Sequence, residues 1–110
     1  MNFYIGNSID EIEEQDTNIE FSDDLIDFIY KFRRKMLYDA RKLYHINPYS
    51  DVEISKNDLP QIIEICEYIL DASLLQNYQD LEEGEQMLKN LIEISQKAIT
   101  ENSGLISIGD

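Results

Sequence analysis

The sequence contains one cysteine, Cys66, and one histidine, His45, the two residue types that most often pair as nucleophile and base. A thiol beside an imidazole can carry out acyl transfer. Cys66, however, lies on the apolar face of a predicted helix, where a thiol packs as a small hydrophobic group. His45 lies at the end of another predicted helix, where an imidazolium interacts favourably with the carbonyl dipoles. We therefore expect no catalytic centre from this pair, and a single cysteine forms no intramolecular disulfide.

Metal and cofactor sites are also not predicted. One thiol and one imidazole do not supply a typical zinc site. The acidic stretches around 10–20 and 80–85 lack the central glycine and terminal glutamate spacing of a calcium loop. The sequence has no glycine-rich phosphate loop and no GxSxG motif. A paired-carboxylate glycosidase usually needs a larger cleft than such a short chain builds. We expect a protein that is not an enzyme and has no cofactor.

Charge is the strongest signal. Nine Lys and Arg residues against 23 Asp and Glu residues give a net charge of −14. Residues 10–27 contain nine acids and no base, whereas residues 31–42 contain six bases and one acid. Such an excess repels phosphate backbones and anionic lipid, and it accelerates association with a basic surface. The sequence thus predicts a basic protein partner, with no direct binding to nucleic acid or membrane.

Two acidic segments are the candidate binding residues. The first is Asp10, Glu11, Glu13, Glu14 and Asp16; the second is Tyr78 with Asp80, Glu82, Glu83 and Glu85. A tyrosine beside carboxylates is typical of an interface for a basic protein surface. The alternative for each segment is structural: acids near a helix start stabilise its dipole, and the tyrosine ring packs locally.

Apolar spacing indicates how these segments are positioned. We predict a strand at 2–5, one or two helical turns within 10–14 capped by Asn7 or Ser8, and a strand at 18–21. Three principal helices are predicted at about 23–44, 58–76 and 80–101, with a short extended stretch at 52–55. A final strand is predicted at 105–108. Residues 1–110 are therefore expected to form a single α+β domain, or a mostly α domain if the last strand does not form.

Location follows from what the sequence lacks. The first residues have no basic region followed by an apolar stretch, as a secretory signal would. The apolar runs are far shorter than the about 20 residues that span a bilayer. We expect a cytoplasmic protein.

Two stretches resemble a known class of proteins. Residues 4–12, YIGNSIDEI, and residues 43–51, LYHINPYSD, leading into Asp58, Leu59, Ile62, Ile63 and Cys66, resemble bacterial immunity proteins of contact-dependent growth inhibition and related polymorphic toxin systems. This resemblance implies a cognate partner, often a basic C-terminal toxin domain with nuclease activity, whose active site or substrate groove the immunity protein blocks.

Other functions and features remain open at this point. The chain could be an acidic regulatory or adaptor subunit that binds a basic protein without any toxin, or a general nucleic-acid mimic. The sequence does not decide which acidic segment forms the interface or whether it blocks an active site. The oligomeric state is also open, because the basic stretch 31–42 could meet the acids of a second copy.

Overall fold

The structure, a computed structural model, describes residues 1–109 and contains a four-stranded antiparallel sheet. The strands are β1 (Asn2–Ile5), β2 (Asn18–Glu20), β3 (Val52–Ile54) and β4 (Leu105–Ile108), in the order β2-β1-β4-β3. Phe3 of β1 lies opposite Ile19 on one side and Ser107 on the other. The α+β class is confirmed. The last strand forms and pairs with both β1 and β3, so the mostly α alternative is wrong.

Two long helices pack beside each other. They are α3 (Leu59–Asp71) and α4 (Leu81–Thr100), and their apolar faces enter one shared core. α4 agrees with its predicted bounds to within one residue at each end. α3 ends five residues before its predicted end because Ser73 adopts a left-handed backbone with φ of 53° and Leu74 N–H returns to the Ile69 carbonyl, 3.1 Å away. This left-handed turn closes the helix.

The first predicted helix, 23–44, is wrong as a single element. α1 spans Asp23–Phe32, a 3₁₀ turn follows at Arg33–Lys35, and the short helix α2 spans Arg41–Tyr44. Met36 is extended, with φ of −89° and ψ of 136°. The sequence hid the break because Ala40 and Leu43 keep the helical spacing and are both buried. The break leaves Leu37 outside the core.

The small N-terminal elements also differ in detail. The predicted helical turns within 10–14 are a 3₁₀ helix at Ile9–Glu11, one residue earlier, and Ser8 is the cap as predicted. β2 ends at Glu20 because Phe21 turns into the core, where its ring meets Phe3 edge to face at 5.9 Å. Within residues 1–109, no helix is both long enough and apolar enough to cross a membrane.

Candidate protein-binding surface

The first acidic segment lies over the outer face of the sheet. The residue just before it, Asn7, is tied to the turn between α4 and β4, since Gly104 N–H donates to Asn7 Oδ1 at 3.0 Å. Ile9 N–H donates to Glu53 Oε2 at 3.1 Å, which links the segment to β3. A Cβ added at Gly6 would stand 2.9 Å from Ile12 and 3.5 Å from Ile106, so the chain closes tightly over the buried Ile106.

Several carboxylates of this segment serve its own turns. Glu11 Oε2 accepts a hydrogen bond from Asn7 N–H at 3.3 Å, and Asp16 Oδ2 accepts one from Glu13 N–H at 2.9 Å. Glu13 in turn accepts from the Gln15 amide. Asp10 and Glu14 are exposed. The segment therefore has a structural task, the covering of the sheet, in addition to its charge.

The second acidic segment forms the beginning of α4. Asp80 is the N-cap, and its Oδ1 accepts from Glu83 N–H at 3.1 Å. Glu82 and Glu83 are exposed in the first turn, where negative charge interacts favourably with the helix dipole, and Glu85 is partly buried. α4 has 20 residues and is about 30 Å long. The two predicted segments thus lie at opposite ends of α4 and do not form one surface.

The structure brings other acids to the second segment. α1 begins beside α4: Tyr78 Oη lies 3.3 Å from Ser22 Oγ, the cap of α1, and the Gln79 amide donates to Asp24 Oδ2 at 3.4 Å. The carboxylates that gather here come from β2, α1 and α4. We call this set, whose members act on one another or on the nearby Tyr49 and Tyr78, the acidic face: Glu20, Asp23, Asp24, Asp27, Asp80 and Glu83.

The negative charge of the acidic face contributes to raised pKa values of the groups within it. Burial and then the charges of Asp24, Glu83 and Asp80 raise the pKa of Tyr78, against a lowering by its hydrogen bond to Ser22. A side-chain hydrogen bond with Asp80, then the charges of Asp80 and Glu20, raise the pKa of Glu83.

Tyr49 adds an exposed ring to the same face. Its hydroxyl donates to Asp23 Oδ2 at 3.2 Å, and this hydrogen bond, with the charges of Asp23, Asp24 and Asp27, raises the pKa of Tyr49. The Tyr49 residue as a whole is 69% exposed. The acidic face therefore carries one partly buried and one exposed tyrosine.

A groove of about 280 Å³ opens in the acidic face. Its lining is Asp24, Asp27, Phe28, Lys31, Asn77, Tyr78 and Gln79. The Phe28 and Tyr78 rings meet edge to face, with centroids 5.2 Å apart, and provide apolar walls. Lys31 Nζ lies 2.8 Å from Asp27 Oδ2, so an ammonium group already occupies one rim. This combination suits a side chain that is apolar along its length and accompanied by positive charge.

Sequence reasoning included Tyr78 and Asp80 but not Asp24 and Asp27 as binding residues. The available signal was spacing, since positions 24, 27 and 28 share one side of a helix. The side of α1 that carries them packs beside Tyr78 and Gln79, about 55 positions further along the chain, and local sequence patterns do not predict such a contact.

A larger cavity of about 550 Å³ lies between α2, β3 and the start of α3. Its charges are largely paired internally: Arg41 Nη2 lies 2.7 Å from Asp39 Oδ2, and Lys42 Nζ lies 2.6 Å from Asp58 Oδ1. The guanidinium of Arg41 holds the pKa of Asp39 down at about 2. The lining thus carries three carboxylates, Asp39, Glu53 and Asp58, against two cations, and two of the three carboxylates are already paired within the cavity.

The remaining candidate residues are not brought together for chemistry. Cys66 is fully buried, and burial raises the pKa of its thiol, with a further contribution from Glu67. His45 is exposed at the end of α2. Within residues 1–109, no group of three or more His, Cys, Asp or Glu side chains is arranged to hold a metal ion. Comparison of the chain with protein-family models, curated proteins and solved structures gave no match.

Proposed function

We propose that this chain is an immunity protein that acts in the bacterial cytoplasm, where it binds and neutralises a cognate basic toxin domain, most simply a nuclease. The observation that carries the proposal is the acidic face, where two helix starts place carboxylates around Tyr78 and a groove with aromatic walls. The resemblance of residues 4–12 and 43–51 to immunity proteins supports the same function.

The physical argument rests on complementarity. A nuclease holds phosphates in a positively charged groove, so a surface rich in carboxylates can occupy that groove in place of the substrate. The opposite charges of the two proteins accelerate their association. Once the complex has formed, a few desolvated side chains near the centre of the interface supply most of the binding energy. Tyr78 is the best candidate for such a centre because its ring is partly buried and already fixed by Phe28 and Ser22.

The acidic face is preferred over the first acidic segment as the contact surface. Glu11, Glu13 and Asp16 are engaged in turns that hold the cover of the sheet, and moving them for a partner would disturb that cover. The acids of Asp10–Asp16 would contribute only to the electrostatic attraction of the basic partner. This attraction is screened over a Debye length of about 8 Å at physiological salt.

Rescue of growth tests this function. The toxin encoded beside this gene is produced in cells with the wild-type chain, or with a variant that carries Asp24→Lys and Glu83→Lys. We expect the wild type to restore growth. The variant should lose most of this rescue, because both substitutions reverse a charge next to Tyr78. The matched control, Glu67→Lys with Glu93→Lys, changes the net charge equally at exposed positions outside the acidic face.

Each outcome has a distinct meaning. Failure of the wild-type chain to rescue cells, together with capture of a basic protein that is not a toxin, would support the adaptor alternative and refute the immunity function. Equal rescue by the variant and the control would leave an immunity protein whose interface lies elsewhere. Inhibition of several unrelated nucleic-acid-binding proteins would point instead to general nucleic-acid mimicry.

A further inference from the structure

The break between α1 and α2 presents a leucine to solvent in a fixed position. Leu37 is 97% exposed, yet its N–H donates to Tyr68 Oη at 3.0 Å. The next residue, Tyr38, stacks on the same Tyr68 ring with centroids 5.6 Å apart. Leu37 therefore points outward from an ordered turn, so that burial against a partner costs the rotamer freedom of its side chain but little further ordering of the backbone.

Three cations precede this leucine. Within residues 1–109, Arg33, Arg34 and Lys35 form no ion pair with a carboxylate, whereas Lys31, Arg41 and Lys42 each do. The Arg33 guanidinium lies over the Tyr30 ring at 3.8 Å, and Lys35 Nζ lies 5.4 Å from the Phe32 ring centroid.

We call Arg33, Arg34, Lys35 and Leu37 the basic knob. A single exposed leucine needs no explanation. Here the exposed leucine closely follows three consecutive cations that form no ion pair within residues 1–109, on a chain whose net charge is −14.

A complementary recess exists on the same molecule. The 280 Å³ groove has the Phe28 and Tyr78 rings as walls and Asp24 and Asp27 at its rim, where Asp27 is paired with Lys31 and Asp24 forms no ion pair within residues 1–109. The aromatic walls of the groove are complementary to Leu37, and the carboxylates at its rim are complementary to the cations of the basic knob.

We propose that the basic knob of one copy docks into the acidic groove of a second copy. Leu37 then contacts the rings of Phe28 and Tyr78, and Arg34 and Lys35 approach Asp24 and Asp27. The internal pair of Lys31 with Asp27 shows that an ammonium group fits at this rim. Because the knob and the groove are different surfaces, the contact is head to tail, and it repeats along a chain of copies unless it closes into a ring.

Two effects determine the strength of this contact. The net charge of −14 on each copy opposes association at low ionic strength. At about 0.15 M salt the Debye length is about 8 Å, so this repulsion is screened while the contacts at the groove persist. The area involved is small, which makes the association transient and dependent on concentration.

Sedimentation equilibrium at about 0.15 M salt, with protein concentrations up to about 1 mM, tests the docking directly. We expect the average mass of the wild type to rise above that of the monomer as the concentration increases. Leu37→Ser and Asp24→Lys should each weaken the association at least about tenfold, because one removes the apolar contact and the other reverses the rim charge. The controls Leu37→Met and Glu93→Lys should associate like the wild type.

Mixing the two defective variants identifies the head-to-tail arrangement. The Leu37→Ser chain keeps an intact groove, and the Asp24→Lys chain keeps an intact knob. Each variant alone should stay monomeric, while an equimolar mixture should form a one-to-one dimer and nothing larger. A wild type that stays monomeric over the whole range, single variants that associate normally, or a mixture that does not dimerise would each overturn the proposal. None of these measurements involves a toxin, so they are independent of the proposed function.

Discussion

Ser95 shows how a single polar atom sits in an otherwise apolar core. It lies on the buried side of α4, is 0% exposed, and its hydroxyl has no hydrogen-bond partner in the part of the chain that the structure describes. A buried hydroxyl without a partner costs free energy, because it has lost its hydrogen bonds to water. Ser95 keeps the spacing of the apolar residues of α4, but periodicity alone does not reveal whether a hydroxyl finds an acceptor.

Replacement of this serine should therefore stabilise the protein. We expect Ser95→Ala to raise the free energy of unfolding by about 1 kcal/mol, because it removes the unpaired hydroxyl and improves helix propensity. Urea denaturation measures the change. The matched control is Ser107→Ala, whose hydroxyl is equally buried but lies 3.4 Å from Met1 Sδ, and which should gain nothing. A loss of stability in Ser95→Ala would mean that the hydroxyl has a partner after all.

Cys66 should be chemically silent in the folded protein. Burial excludes reagents and raises the pKa of the thiol, so the reactive thiolate is scarce at neutral pH. We expect a thiol reagent to modify Cys66 only as fast as the protein opens, with the rate increasing in urea toward the unfolding midpoint. Labelling kinetics followed by mass spectrometry measures this. A fast reaction in the absence of denaturant would contradict the burial of the thiol.

At the scale of elements, the long regular segments followed from the sequence and the turns did not. α4 agrees with its apolar spacing because it buries one continuous face, and β1 and β4 agree with their predicted bounds, although the buried residues of β4 lie on both faces of the sheet. The break at Arg33–Lys35 was missed because spacing continues across it, and its causes are long-range contacts such as that between Leu37 and Tyr68. The sequence predicted the part of the acidic face at the start of α4, because Asp80 and Glu83 are neighbours in the chain. It did not predict the part from α1, because α1 is brought beside α4 only by tertiary packing.

The start of α4 has two roles that can be separated. Asp80 caps the helix and also contributes charge to the acidic face. We expect Asp80→Ala to lower the free energy of unfolding by about 1 kcal/mol, since the Glu83 N–H loses its acceptor. Asp80→Asn should keep the cap and most of the stability while removing the charge. Thermal or urea unfolding of the three proteins measures the first role, and the rate of toxin binding measures the second. Equal stability of Asp80→Ala and the wild type would show that the cap contributes nothing.

At the scale of the whole molecule, charge and aromatic packing should control different steps of binding. The carboxylates of the acidic face act at a distance, so Asp24→Lys is expected to slow association with the basic toxin domain, and the difference from wild type should shrink as salt rises. Tyr78 acts only on contact, so Tyr78→Ala is expected to raise the dissociation rate by about 30-fold at every salt concentration. Stopped-flow or surface-based kinetics over a salt series measures both rates, with Glu93→Lys as the control for net charge. If Asp24→Lys slowed association no more than Glu93→Lys does, and Tyr78→Ala left the dissociation rate unchanged, the acidic face would not be the surface that meets the toxin, because a residue in the interface must alter one of these two rates beyond the effect of net charge.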